Sequence, residues 1–196
     1  MTPDDGLATC EVTPGAPGAV PNRVLIVPRS ILAATHDFLL PYWRAEVETA
    51  CFWAGIDGDE HQVVTTLAMP RLIQARRHYQ LDLRSVRDLA ADLEAQDLTN
   101  LAQVHTHPGD LVGHSPYDDE HAYSTAAGAL SLVWPRYGYA LHHDLTGIGV
   151  HERREGYWVQ LTPTEVAQRI RLVDSQIDRR WGIAMLGDGG LAGGGS

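Results

Sequence analysis

The sequence predicts an α/β protein built on one mixed β-sheet flanked by helices. Three observations carry that prediction. Short apolar, β-prone runs recur along the chain, among them Val24-Leu25-Ile26-Val27 and Leu130-Ser131-Leu132-Val133-Trp134. Amphipathic stretches with helix-start signals stand between and after them. Strand follows helix and helix follows strand, the alternation of a single mixed layer rather than of separate all-α and all-β units.

Each element has its own local reason. Residues 1–21 hold Pro3, Pro14, Pro17 and Pro21 with almost no apolar periodicity, which predicts a flexible arm. The run at Val24 fits a buried strand. Pro28 suits a helix's first turn, and Ile31, Leu32, Phe38 and Leu39 give an imperfect apolar face through about Trp43. Pro41 should end or kink that helix. Val47 to Gly55 reads as a strand closed by a Gly-Ile-Asp-Gly-Asp turn, with His61 to Ala68 as its antiparallel partner. Residues 70–98 begin polar and basic, then turn helical. Ser85 can cap, and Val86, Leu89, Ala90 and Leu93 share a face.

Leu101 to His105 reads as a central strand, and Leu130 to Trp134 as another. Ile148–Glu152 and Tyr157–Leu161 flank Arg153-Arg154-Glu155-Gly156, a hairpin signal. Thr162-Pro163-Thr164-Glu165 is a capping box with proline at the first helical position. Val166, Ile170, Val173, Ile177 and Trp181 follow at helical spacing, which predicts one amphipathic helix through Trp181. The chain ends in a Gly-rich stretch. The expected division is a flexible arm at 1–21, one domain at 22–183 and a disordered tail at 184–196. No internal repeat is present.

Composition narrows the function classes. Hydrophobic residues are 44% and charged residues 20% of the chain, as in an ordinary globular protein. No apolar run approaches the roughly 18 residues of a membrane span. The acidic start Met1-Thr2-Pro3-Asp4-Asp5 lacks the apolar core of a secretory signal. Cys10 and Cys51 sit in unrelated contexts, so no disulfide framework is expected and the compartment reads as cytoplasmic. A net charge of −10 argues against nucleic-acid binding and permits a basic protein partner.

The chemistry gathers at Gln103-Val104-His105-Thr106-His107-Pro108 and Ser115-Pro116-Tyr117-Asp118. On a strand, His105 and His107 point to the same face and can reach one ion. Two imidazoles and a carboxylate make a three-ligand zinc set with an open fourth position, the form of a hydrolytic site. Spacing alone leaves Asp110, Asp119 and Glu120 as rivals to Asp118. Ser115 has a plain structural reason as well, because Ser-Pro-Tyr-Asp is a helix cap with proline next and an acid third. His114 and His121 flank this segment and read as solvent-facing. His142 and His143 have no evident partner. Cys51, Trp53 and Trp134 read as core.

The spacing His105-x-His107, seven residues, Ser115, two residues, Asp118 matches the JAMM, or MPN-plus, motif. That family also carries an upstream glutamate followed by small and apolar residues and a glycine seven positions on. Glu48-Thr49-Ala50-Cys51-Phe52-Trp53-Ala54-Gly55 has that shape, and Glu46 lacks the distance. Ala50-Cys51 departs from the Cys-Gly of many members. Over roughly residues 22–161 the chain thus resembles the JAMM/MPN-plus (Mov34/MPN/PAD-1) zinc metalloproteases, in a compact bacterial stand-alone form similar to deubiquitinase-like isopeptidases.

The resemblance implies a cytidine-deaminase-like α/β fold and one zinc per chain, held by His105, His107 and Asp118. It implies Glu48 as general base for the attacking water and Ser115 as a hydrogen-bond donor to the oxyanion. It further implies cleavage after the C-terminal glycine of a ubiquitin-like protein, in deconjugation or precursor maturation. The partners would be that modifier, its conjugates and the activating and conjugating enzymes of a bacterial antiviral pathway, with neither nucleic acid nor membrane. Two rival readings are a processing peptidase for a sulfur-carrier protein and a metal-binding interaction module without turnover. Glu48 and Ser115 weigh against the second, since a structural zinc site needs neither. Residues 70–98 fall where such isopeptidases carry their first insertion. Only eleven residues lie between Asp118 and Leu130, so the second insertion is expected to be short or missing.

Overall fold

The computed structural model describes residues 23–76, 78–139 and 144–174. The expected arm at 1–21, the tail at 184–196, Cys10, His142 and His143 lie outside the described residues. Among the described residues, ten strands and four α-helices follow one another as β1 (Val24–Pro28), α1 (Arg29–Ala45), β2 (Ala50–Asp57), β3 (His61–Ala68), β4 (Leu72–Ala75), β5 (His78–Leu81), α2 (Leu83–Glu94), β6 (Thr99–Thr106), α3 (Pro116–Glu120), β7 (Leu130–Trp134), β8 (Gly149–Arg154), β9 (Tyr157–Gln160), α4 (Pro163–Arg169) and β10 (Ile170–Val173). Eight strands form one mixed sheet in the order β10-β1-β3-β2-β6-β7-β8-β9, and β4 pairs with β5 in a separate antiparallel ribbon. The fold class is the α/β arrangement expected from the sequence.

The sheet's middle is β2 and β6, antiparallel, with Ala50 opposite His105 and Phe52 opposite Gln103. β7 runs parallel to β6, with His105 opposite Val133, and β8 lies antiparallel to β7, with Ser131 opposite His151. Side chains on a strand alternate between faces. This register therefore puts Gln103, His105, Ser131 and His151 on one face.

The apolar core packs around Leu25, Val27, Leu32, Leu39, Trp53, Val104, Leu132 and Trp134, all buried. Trp53 and Trp134 meet edge to face at 6.0 Å. The Trp53 indole N–H donates to Thr35 Oγ1 of α1 at 2.9 Å, so the polar end of this core tryptophan is satisfied. Cys51 is fully buried in the same core, and burial pushes its thiol far up, which leaves it unreactive. Among the described residues no helix is long and apolar enough to cross a membrane.

Local expectations are refined at three points. Pro41 does not end α1, which continues to Ala45 and closes on Glu46 in the left-handed region at φ 52°. The polar stretch before α2 holds the β4–β5 ribbon. Asp82 caps α2 by accepting from the Arg84 N–H at 3.0 Å, while the Ser85 hydroxyl instead accepts from the Arg71 N–H.

The largest correction is at the end of the chain. The helix predicted through Trp181 stops at Arg169, and Ile170–Val173 pairs in parallel with Leu25–Pro28. An open sheet edge at β1 gives this β-branched segment a hydrogen-bonded partner, and tertiary pairing outweighs helical periodicity. Arg169 pins the junction. Its buried guanidinium donates to Glu152 Oε1 at 2.7 Å, the Arg23 carbonyl at 2.7 Å and the Gly128 carbonyl at 3.0 Å. Ile177 and Trp181 lie outside the described residues.

Candidate metal centre

β6 delivers His105 and His107 from the centre of the sheet, and the loop after it returns the chain to α3. Ser115 caps α3 with Pro116 at the first helical position. The Ser115 hydroxyl accepts from the Asp118 N–H at 3.2 Å, and the Ser115 N–H donates back to Asp118 Oδ2 at 2.7 Å. This reciprocal cap fixes the direction of the Asp118 side chain. The Ser115 hydroxyl also lies 2.6 Å from the same Oδ2, to which it can donate.

His105, His107 and Asp118 each offer a ligand atom, and those atoms lie within 4.8 Å of one another. Asp118 Oδ1 is 3.6 Å from His105 Nε2, and Asp118 Oδ2 is 3.2 Å from His107 Nε2. The rival carboxylates go elsewhere. Asp110 pairs with Arg136, Asp119 turns to His114, and Glu120 is exposed.

The donor set fits a divalent cation on two grounds. His105 Nε2 is buried and has no hydrogen-bond partner, an arrangement that burial of a polar atom penalises unless something fills it. His107 Nδ1 lies 3.1 Å from the Leu111 carbonyl oxygen. A carbonyl only accepts, so Nδ1 carries the hydrogen and Nε2 faces a carboxylate with a lone pair of its own. A positive charge, proton or metal, belongs between them.

The electrostatics agree. Burial pushes His105 down to about 3, which keeps its imidazole neutral and able to ligate. Burial alone would lower His107 too, but its hydrogen bond with Asp118 holds it above the ordinary imidazole value. Asp118 would be raised by burial. His107, His105 and the Ser115 donors outweigh that and hold it well below the usual carboxylate range.

Glu48 stands just before β2, buried and lining the same cavity of about 360 Å³ as His107, Ser115, Tyr117 and Asp118. Its N–H donates to the Ala75 carbonyl at 2.9 Å. The neighbouring Thr49 carbonyl accepts from the Thr106 N–H at 3.1 Å, so both sides of the Glu48 backbone are held. Glu46 lies at the surface, bonded to Arg76 at 2.8 Å.

Three residues were missed or misplaced by sequence reasoning. His114 does not face solvent: its side chain is 6% exposed and bridges Asp119 and Ser131. Its ring lies 4.2 Å from His151 and 5.0 Å from Trp158. Ser131 is a buried polar residue inside the apolar strand β7, and His151 is buried in β8. That break in alternation was a legible signal. His121 is exposed and stacked on Tyr117, as expected of a flanking histidine.

No protein-family model matches the chain. A probable metalloprotease of Sinorhizobium fredii is 30% identical over 123 residues, which cover 59% of this chain and 73% of that protein. A Desulfitobacterium hafniense protein of known solution structure has the same fold, at a TM-score of 0.52 and 14% identity over 77% of this chain and 94% of its own. A Jab1/MPN domain protein from Archaeoglobus fulgidus aligns at a TM-score of 0.42 and 13% identity, over 76% of this chain and 98% of its own. The sequence kinship to a metalloprotease and the converging His-His-Asp set lead to one assignment: this chain belongs to the JAMM/MPN metalloprotease family.

Proposed function

We propose that the protein is a zinc peptidase that cleaves after the C-terminal glycine of a ubiquitin-like protein, releasing a lysine amine or a short peptide extension. The observation that carries the reading is that Glu48 and Ser115, which holding an ion would not require, line one cavity with His107 and Asp118.

His105, His107 and Asp118 would hold a single zinc, which when bound supplies Lewis acidity and makes water a nucleophile at neutral pH. Glu48 takes a proton from the attacking water and returns it to the departing amine, so the peptide C–N bond breaks as the new C–O bond forms and the proton count closes. The Ser115 hydroxyl turns from Asp118 toward the substrate's carbonyl oxygen as negative charge develops there. His107 and Asp118 stay fixed by the Leu111 carbonyl and the α3 cap.

The glycine preference is supported by the cavity walls. The Tyr117 hydroxyl donates to the Tyr79 carbonyl at 3.3 Å and ties α3 to β5 beside the site. An extended tail passing between these walls would bring its backbone up to the ligand set, an approach that glycine, having no Cβ, obstructs least. Extended tails of this kind gain affinity from main-chain hydrogen bonds, which need no particular side chain.

The test is a pair of ubiquitin-like fusions that differ only at the residue before the scissile bond, read by mass spectrometry. The Gly fusion is expected to be cut once, directly after that glycine, and the Val fusion to remain intact. Equal cutting of both, or cutting of unfolded chains at many places, would make the protein a general peptidase instead.

A further inference from the structure

His114 stands outside the ligand set, yet it is the middle of a hydrogen-bonded line that ends on a ligand. Asp119 Oδ1 lies 3.0 Å from His114 Nδ1, His114 Nε2 lies 2.9 Å from Ser131 Oγ, and Ser131 Oγ lies 3.5 Å from His105 Nδ1. Four segments meet here: α3, the loop before it, β7 and β6. The His151 and Trp158 rings pack against the His114 ring and hold its plane.

The line has a direction. A carboxylate oxygen only accepts, so His114 Nδ1 carries the hydrogen. The neutral ring then has a bare Nε2, which accepts from the Ser131 hydroxyl. With its one hydrogen committed, the Ser131 oxygen can only accept from His105. His105 Nδ1 therefore carries the hydrogen, and the lone pair is left on Nε2. That is the buried atom with no hydrogen-bond partner, on the Asp118 side of the ring. Run in the opposite sense, the Ser131 hydroxyl would donate to Nδ1, the imidazole hydrogen would sit on Nε2, and the atom needed for ligation would be blocked.

We propose that Asp119, His114 and Ser131 are positioning residues that fix His105 in the tautomer whose Nε2 lone pair faces His107 and Asp118. The proposal rests on the reading of His105, His107 and Asp118 as a zinc set. The need for such a line follows from where His105 sits. His107, past the end of β6, has its tautomer set by one backbone carbonyl, that of Leu111. His105 lies within β6, between β2 and β7, where main-chain carbonyls are committed to the ladders. A side-chain line takes over what a carbonyl does for His107. Groups that orient a ligating imidazole typically change metal affinity by about 10- to 100-fold when removed.

The experiment combines two readouts on the full chain. Long-range ¹⁵N–¹H spectra of zinc-free protein report the His105 tautomer, and competition with a chromophoric chelator reports zinc affinity. The wild type is expected to show hydrogen on His105 Nδ1. Ser131→Ala removes one buried hydroxyl and should mix the tautomers and weaken zinc binding by about 10- to 100-fold. Asp119→Ala breaks the line at its exposed end, where folding is not at stake, and should weaken zinc in the same direction by less. A wild-type His105 with hydrogen on Nε2 would overturn the proposal. So would a Ser131→Ala protein with an unchanged tautomer and zinc affinity within about twofold of wild type. Failure of the wild type to take up zinc would overturn the metal reading instead, and the tautomer in the zinc-free protein would still decide whether the line works.

Discussion

His107 and Asp118 face each other across 3.2 Å, while the far nitrogen of the His107 ring is held by the Leu111 carbonyl at 3.1 Å. In the metal-free fold a proton on His107 Nε2 bridges the pair wherever the imidazole is protonated, a state that Asp118 favours. Zinc would take that proton's place, and the two therefore compete.

The competition fixes a pH dependence. His107 is raised in the fold, so its contribution to metal-free stability is fully present below its unfolded value of about 6.5 and is lost as pH rises through the folded value. Asp118 is lowered, so its contribution is present above about 3.9 and is lost as pH falls through the folded value. The pair thus supports the zinc-free protein most between those limits. Zinc has the opposite preference, because His107 must lose its proton to bind. The thermal upshift produced by zinc should be larger at pH 8 than at pH 5.5, as scanning fluorimetry at matched zinc concentration would show. An upshift that grew toward acid pH would exclude His107 as a ligand.

Purified protein should carry about one zinc per chain by elemental analysis, as a three-ligand site requires. His107→Ala should lose it. Full retention in that variant would move the ligand set elsewhere.

Glu48→Gln should keep fold and zinc but lose roughly 10²- to 10⁴-fold in turnover, the usual range for a general acid–base group. Glu46→Gln should change turnover little, because Glu46 closes α1 at the surface against Arg76. Steady-state rates on one cleavable fusion decide between them. A reversal of the two effects would require a different register for the chain entering β2.

Gly55 sits where the β2–β3 pairing shifts register, and a Cβ there would come within 1.9 Å of the Val63 carbonyl oxygen. Backbone cannot rotate away as a side chain would. Gly55→Ala should destabilise by about 1–3 kcal/mol, the usual cost of overpacking. Gly109→Ala, with nothing within 4 Å of the added carbon, is the control and should scarcely move the unfolding midpoint. Equal midpoints in urea for both variants would show that the strand yields.

The sequence by itself determined what is local. The positions of β1, β3, β6 and β7, the capping boxes at Ser115 and Thr162, and the turn at Glu155-Gly156 follow from neighbours a few residues apart, where hydrogen bonds and dihedral preferences act directly. The motif spacing likewise marked the residues that the fold gathers. What pairs across distance was decided by tertiary structure. Ile170–Val173 has helical spacing but becomes β10, because the edge of β1, far back in the chain, offers it a ladder. Glu48 and Glu46 differ by two residues, yet one faces the cavity and the other faces solvent, a distinction made by how the chain enters β2. His114 is an unremarkable loop residue in sequence. Only the register of β6, β7 and β8 sets Ser131 and His151 beside it, since no local preference can place four segments on one face of a sheet.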